Sequence, residues 1–394
     1  MFNGNKLTEL RLLYGLTRSE LADKLDISEQ AVWQFETNKG GKPKLNPTLL
    51  TIAKLFNVDI SYFEGEIETS NIDTSRIAFR NGDADSKKAI QIEEVYLNKI
   101  HQLILSLETY LNPPQLTIYS LLEEVEQIIQ DKILDEILLE KVAIIARKKL
   151  NLASDNENLL FCMELSGINI LTRVLSNKGK ADAYSLWTLD DTPYIVLGNG
   201  KSAVRRNFDL AHELAHLLLH RAVDFEELSK KELDIKEREA NLFASYLLMP
   251  TEQFLKDFSS YVGEKVSNPD YYIQLKRKYN VSIQALEMRA YKLGKLSVAQ
   301  NSYFYRTISK KNYKLVEPLD YDILVKKPSK IRSMFDVVFS NHLVDLPTFL
   351  HQRGITKQFL CNLLDIEVEF FEKYLQQSSD FNQIIKIADY KRKA

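Results

Sequence analysis

Along most of the chain apolar residues recur three and four positions apart, the spacing of amphipathic helices; only between about 159 and 200 does the pattern change to short continuous runs. Residues 1 to about 65 carry short helical patterns separated by turn signals, with the polar stretch GGKPKLNP at 40–47 before a further helix and Gly65 closing the block. Residues 66–86 turn polar and charged and read as a linker, partly anchored where Phe79 and Arg80 interrupt it. Tyr96, Ile100, Leu103, Leu107 and Tyr110 then form a stripe on one face of a helix that Pro113 and Pro114 end. With only two heptads, the stripe is expected to pack on the chain's own core rather than in a dimer coiled coil. Another helix is expected over 133–150, strands in LLFCMEL, INILTRVL and PYIVLG, a turn at Asn199 and Gly200, and helices again from 205 to the end. The fold class expected is α+β, predominantly α. It divides into a five-helix domain at 1–65, a linker with an amphipathic helical segment at 66–130, a central domain with a small sheet at 131–318, and an all-α domain at 319–394.

A chain of 394 residues that is 45% hydrophobic has material for more than one core, so several domains are expected. The net charge of -2 and the pI near 6.4 exclude a generally basic nucleic-acid binder; any such contact must come from a local surface. The opening MFNGNK has no signal-peptide character and no later segment reaches the roughly 18 apolar residues of a membrane span, which predicts a cytoplasmic protein with no membrane partner. Cys162 and Cys361 alone offer neither a disulfide framework nor a Cys-rich metal knuckle, leaving His and carboxylates to hold any metal.

The segment DLAHELAHLLLH supplies those groups. His212 and His216 stand one helical turn apart on the same face, where both reach one ion, and Glu213 beside the first ligand points toward the position that a catalytic site leaves open for water. Leu210, Ala211, Leu214, Leu217 and Leu218 are expected to bury the opposite face. A third ligand must come from another helix, and EREANLFASYLLMP offers both Glu237 and Glu239. His220 continues the series but lies about 12 Å along the axis from His212, too far to share the ion. It is expected to support a ligand or to mark the helix end. Tyr246 is a candidate for stabilising an oxyanion, although an aromatic at helical spacing usually belongs to the core.

From about 135 to 318 the sequence resembles the ImmA/IrrE metallopeptidases, in DAYSLW at 182–187, PYIVLG, the R-x-F-x-x-A-H-E-L-x-H block, E-A-N-x-F-A-x-x-L-L-M-P, and VSIQALEMRAYKLGKLSVAQ. The resemblance implies a zincin-like domain that binds Zn2+, with manganese as an alternative, through His212, His216 and Glu239 of the E-A-N motif, Glu237 being the fallback. It also implies that Glu213 is the general base, and then the acid toward the leaving amine. The family usually has Gly where Ala215 stands and often Arg where Asn207 stands.

At the N-terminus, Leu21, Ala22 and Leu25 on one helix, a turn at Asp26 and Ile27, and Val32 and Phe35 on the next make a helix-turn-helix pattern. Thr17 with Glu20 forms a capping box for the first helix and Ser28 is a natural N-cap for the second. Residues 1 to about 65 resemble the XRE family, whose fold is lambda-repressor-like. The resemblance implies that Arg18, Ser28, Glu29, Gln30, Trp33 and Gln34 face the major groove of double-stranded operator DNA, with Lys39, Lys42 and Lys44 on phosphates.

The C-terminus repeats this pattern at a constant offset of 339: Gly15, Thr17, Leu21, Leu25, Asp26 and Ile27 correspond to Gly354, Thr356, Leu360, Leu364, Asp365 and Ile366. Glu367 and Glu369 would put carboxylates where phosphates lie, so this degenerate helix-turn-helix-like unit is expected to contact protein instead, either in a homodimer or on the peptidase domain. The functional expectation is a DNA-binding regulator whose zinc peptidase cleaves a repressor or another regulatory protein. The alternatives are a transcription factor with a non-catalytic sensor domain and an accessory protein acting through binding alone.

Overall fold

The computed structural model describes residues 2–37, 48–66, 69–77, 84–112, 116–130, 132–173 and 183–381, with backbone alone at 84–87 and 376–381. The chain divides into two compact units, one formed by residues 1–71, 87–112 and 331–394, the other by 72–86 and 113–330.

In the first unit, helices α1 (Gly4–Leu13), α2 (Arg18–Leu25), α3 (Glu29–Glu36) and α4 (Thr48–Phe56) and a 3-10 helix (Ile60–Glu64) give the five helices expected. Thr17 Oγ1 accepts from Glu20 N while the Glu20 carboxylate accepts from Thr17 N, completing the capping box, and Ser28 Oγ accepts from Ala31 N. Asp26 ends α2 in the left-handed conformation at φ 54°, which a short polar side chain tolerates. Leu7, Leu10, Leu21, Val32, Ile52, Phe56 and Phe63 are fully buried between these helices. The long helix α5 (Ala84–Glu108) buries Tyr96, Ile100, Leu103 and Leu107 of the predicted stripe; Tyr110 lies just beyond its end and Pro113 and Pro114 fall outside the described residues.

The second unit takes in a 3-10 helix (Thr74–Arg76) from its first segment and continues with α6 (Thr117–Ile129), α7 (Glu136–Lys149) and α8 (Leu159–Ser166). The run LLFCMEL, expected as a strand, is α8. It has no β-branched residue, its Leu, Met and Glu favour helices, and Leu159, Leu160 and Met163 reach the core at helical spacing before Gly167 (φ 121°) stops the helix. Strands β1 (Asn169–Arg173), β2 (Ala183–Trp187) and β3 (Pro193–Gly198) form the sheet, in the order β1-β3-β2. The central strand β3 runs parallel to β1 (Ile170 opposite Ile195) and antiparallel to β2 (Ser185 opposite Ile195). Helices α9 (Ala203–Leu219) and α10 (Lys230–Leu248) follow, α9 against β2, β3 and α10, and α10 also against α7. The unit continues through α11 (Thr251–Tyr261), α12 (Ile273–Tyr279), α13 (Ile283–Lys292) and α14 (Val298–Lys310).

Within that core Glu287 of α13 is fully buried, neither carboxylate oxygen has a hydrogen-bond partner of good geometry, and burial pushes its pKa up to about 7 with Tyr305 beside it. The folded state therefore binds the proton more tightly than the unfolded chain does. Stability should fall as pH rises from the ordinary carboxyl range through about 7, then level off. Glu287→Gln should leave stability nearly unchanged at pH 4.5 and raise it by about 3 kcal/mol at pH 8, since each tenfold difference in proton affinity between the folded and unfolded chain is worth about 1.4 kcal/mol. Thermal unfolding at the two pH values checks this, and equal gains at both would contradict it.

The last helices are α15 (Lys330–Ser340), α16 (Leu346–Arg353), α17 (Lys357–Leu364) and α18 (Val368–Phe381). The predicted repeat is present in the backbone. Helix α17 is α2 displaced by 339 at both ends, Thr356 caps it as Thr17 caps α2, and Asp365 closes it at φ 52°. Gly354 and Gly15 are both left-handed, at φ 61° and 67°. This second copy meets the N-terminal helices of its own unit: Asp59 N donates to Gly354 O at 2.7 Å, and Thr356 Oγ1 and N donate to Asn57 O at 2.6 and 3.2 Å. A side chain on Gly354 would lie 2.5 Å from Tyr62 N, whereas Gly15 faces open space. The expectation was a contact in a homodimer or on the peptidase domain; the contact seen is a different one, with the N-terminal helices of the copy's own unit. No described helix is long and apolar enough to cross a membrane.

Candidate metal centre and DNA-binding face

Ser202 starts α9 in the extended conformation, and the buried face of that helix is the one expected: Leu210, Ala211, Leu214, Leu217 and Leu218 are at most 1% exposed. Helix α10 starts at Ser229, whose side chain and that of Glu232 cap each other's backbone N–H. The two helices run side by side with opposite sense. Asn241 meets His212, Glu237 lies against His212 and His216, and Glu239 meets His220.

At the centre, His212 Nε2 and His216 Nε2 are 3.1 Å apart. One Glu237 carboxylate oxygen is 3.6 Å from the first and the other is 3.7 Å from the second. Ligands bound to one tetrahedral ion at about 2.0–2.1 Å stand roughly 3.3 Å from each other, so these three donors have the spacing of a single zinc site. The other ring nitrogens are engaged elsewhere, His212 Nδ1 with Asn241 Oδ1 at 3.1 Å and His216 Nδ1 with His220 Nδ1 at 3.0 Å. Both Nε2 atoms are left on the shared side. Among the described residues, His212, His216 and Glu237 are the group of His, Cys and acidic side chains whose ligand atoms converge.

The expectation placed Glu239 there, and the structure departs from it. On α10, Glu237 and Asn241 are four residues apart and share the face toward α9, while Glu239 is turned about 200° away from Glu237. Its Oε2 accepts from His220 Nε2 at 2.8 Å and from Lys236 Nζ at 3.1 Å. Burial would raise the Glu239 carboxyl, but these two hydrogen bonds outweigh it and hold it below its ordinary value. His220, 2% exposed, is the C-cap residue of α9, and burial pushes its imidazole below the usual range.

Glu213 is buried on the side of α9 facing the sheet, where Ser185 of β2 donates from Oγ to Glu213 Oε2 at 2.7 Å and lies 3.1 Å from the Glu213 carbonyl. Phe225, in the loop between α9 and α10, sets its ring edge-on to His216 with centroids 5.7 Å apart. Its N–H donates to the carbonyl of Ser75 at 2.9 Å, in the segment predicted as a linker. That segment is anchored by Ile72 and Ile77, both buried; Phe79 and Arg80 lie outside the described residues. Tyr246 is not part of this centre. Its hydroxyl donates to Glu136 Oε2 at 3.4 Å and Arg289 covers its ring at 4.5 Å. Asn207 donates to the carbonyl of Asn280 at 3.1 Å, and Ala215 is fully buried.

Sequence reasoning gave no role to Ser185, Asn241 or Phe225. The first two stand inside the DAYSLW and E-A-N motifs; the four-residue spacing of Asn241 from Glu237 was the available signal for one, while nothing in sequence order brings Ser185 to Glu213.

On the N-terminal face, Glu29 and Gln30 at the start of α3 are exposed, Trp33 and Gln34 are half-buried, and Ser28 is occupied as the N-cap. Arg18, whose side chain is partly exposed, has an ion-pair partner that the expectation did not include: its Nε binds Glu36 Oε2 at 2.5 Å while Arg11 binds the other oxygen, so it ties α2 to the end of α3. Lys39, Lys42 and Lys44 lie outside the described residues.

Residues 163–291 match the family described as an IrrE N-terminal-like domain, Peptidase_M78, and residues 7–63 match a helix-turn-helix family, HTH_3. The chain is a fusion of these two domains. The IrrE-like match contains β1, β2, β3, α9 and α10, and with them Ser185, His212, Glu213, His216, Glu237 and Glu239. The helix-turn-helix match contains α2 and α3, which makes the N-terminal part a DNA-binding domain of a regulator. No curated protein matches the chain.

Proposed function

We propose that the IrrE-like domain is a zinc-dependent endopeptidase that cleaves a repressor or another regulatory protein, and that the helix-turn-helix domain brings it to operator DNA. The observation that supports this most is the convergence of His212 Nε2, His216 Nε2 and the Glu237 carboxylate, with the Glu213 carboxylate next to the first of them in sequence and held by Ser185. Zinc held by those three side chains, with manganese as the alternative, would supply the Lewis acidity that polarises a peptide carbonyl and acidifies water. Glu213 takes the proton from the attacking water and passes it to the leaving amine. A site built only to hold a structural metal has no use for that buried base.

On the other domain, the amide of Gln30 and the partly exposed Gln34 are suited to adenine edges in the major groove, and Glu29 to a cytosine amine. Arg18, in its ion pair, contributes by fixing the angle between α2 and α3.

The experiment is metal analysis of the purified full chain, together with cleavage assays on the repressor encoded nearest its gene and on the chain itself, before and after chelation. One zinc per chain and proteolysis that chelation removes and zinc restores are expected. Zinc without cleavage of any regulator would overturn the peptidase reading in favour of a sensor domain, and a chain that takes up no metal would overturn the site.

A further inference from the structure

We infer that His220 and Glu239 are positioning residues for the metal centre: a hydrogen-bonded chain runs from the Glu239 carboxylate through His220 to His216 and fixes the nitrogen that His216 presents. The inference rests on the proposed zinc site and assigns a use to two residues that do not reach it.

The direction of the chain follows from the chemistry of its outer end. An ionised carboxylate has no proton to give, so in the 2.8 Å contact between His220 Nε2 and Glu239 Oε2 the imidazole is the donor. A neutral imidazole has one N–H, so His220 Nδ1 is then an acceptor. Its neighbour at 3.0 Å, His216 Nδ1, must supply the proton. With the His216 proton held on Nδ1, the lone pair of that ring sits on Nε2, the atom that stands 3.1 Å from His212 Nε2 and 3.7 Å from Glu237. The other ligand is prepared in parallel by one residue, since Asn241 Oδ1 accepts from His212 Nδ1. The two histidines thus present the same nitrogen through different supports, an amide for one and an imidazole with a carboxylate behind it for the other.

Burial adds rigidity. The His220 side chain is fully enclosed, and Lys236 holds Glu239 Oε2 from the turn before, so neither residue can turn away without leaving a buried polar group unpaired. Ligand-supporting hydrogen bonds of this kind set the tautomer and raise the basicity of the ligand, and their loss typically costs 10- to 100-fold in metal affinity.

The test is zinc affinity of the full chain by competition with a chromophoric chelator, with stoichiometry at saturating zinc read separately. Glu239→Leu should retain one zinc per chain but bind it 10- to 100-fold more weakly. Glu239→Gln, whose amide oxygen still accepts from His220 Nε2, should recover part of that loss. His220→Phe should match Glu239→Leu, and the double variant should be no weaker than either single one, as required of members of one chain. Long-range proton–nitrogen correlation of the histidine rings supplies a readout independent of folding: His216 should be protonated on Nδ1 in the wild type, and this preference should weaken in Glu239→Leu. Wild-type affinity in both Glu239→Leu and His220→Phe would overturn the relay, and so would additive losses in the double variant. Loss of zinc stoichiometry in Glu239→Gln, with full loading in a Glu237 variant, would instead make Glu239 a ligand. If Glu239→Leu fails to fold, Glu239→Gln and His220→Phe decide by the same criteria. A wild-type chain that binds no zinc overturns the proposed function itself, a failure distinct from unchanged affinity in the variants.

Discussion

Replacing Glu213 with glutamine is expected to leave folding and zinc content unchanged while lowering peptide cleavage by about 10²–10⁴-fold, the range a positioned general base contributes. The substitution isolates the proton. Ser185 Oγ donates to Glu213 Oε2, and a glutamine carbonyl accepts the same bond, so the contact between α9 and β2 survives. The side chain is 6% exposed and isosteric with its replacement, so no cavity opens. What disappears is a carboxylate able to take a proton from water and return it to an amine. The measurement is turnover on the cleaved regulator at saturating substrate, paired with zinc content. Cleavage within threefold of wild type at equal zinc would remove Glu213 from the chemistry.

The contrast between what the sequence displayed and what it hid follows from the physics of each element. The shared face of His212 and His216 was legible because a four-residue spacing on a helix dictates it whatever else the chain does, whereas Glu213, one residue on from His212, is turned toward Ser185 of the sheet. The C-terminal copy was legible for a related reason: a glycine in the left-handed region, a threonine cap and an aspartate closing the helix are each demanded by local backbone geometry, so they survive where surface residues have changed. The run LLFCMEL was not legible from periodicity, since a short apolar stretch is compatible with a buried strand or a buried helix; its lack of β-branched residues, its packing and Gly167 decide. The Arg18–Glu36 ion pair was not legible, because a cation at the start of α2 can face phosphates or a buried carboxylate and nothing in sequence order brings Glu36 to it. For the third ligand, the choice between Glu237 and Glu239 depends on the rotation of α10 about its axis relative to α9. That phase is set by long-range packing of Ala240, Phe243, Ala244 and Leu247, all fully buried, and a motif match does not report it.

That phase gives the second prediction. Glu237→Ala should reduce zinc affinity by more than the roughly 100-fold that losses in the supporting shell reach, because it removes a donor from the ion's own coordination and leaves two imidazoles alone. The carboxylate is half-buried, 3.6 and 3.7 Å from the two Nε2 atoms, and no neighbour among the convergent donors can replace it. Glu239 cannot swing in without abandoning His220 and Lys236. Apo stability should change little or rise, since an anion near two imidazoles is costly to hold without a cation between them. Zinc retained through gel filtration against a chelator, measured beside apo-protein thermal unfolding, separates the two effects: Glu237→Ala should elute empty and fold normally. Full zinc retention in that variant would reject Glu237 as a ligand and return the assignment to the E-A-N glutamate, whereas loss of zinc with an unfolded apo-protein would show that the carboxylate supports α10 rather than the ion.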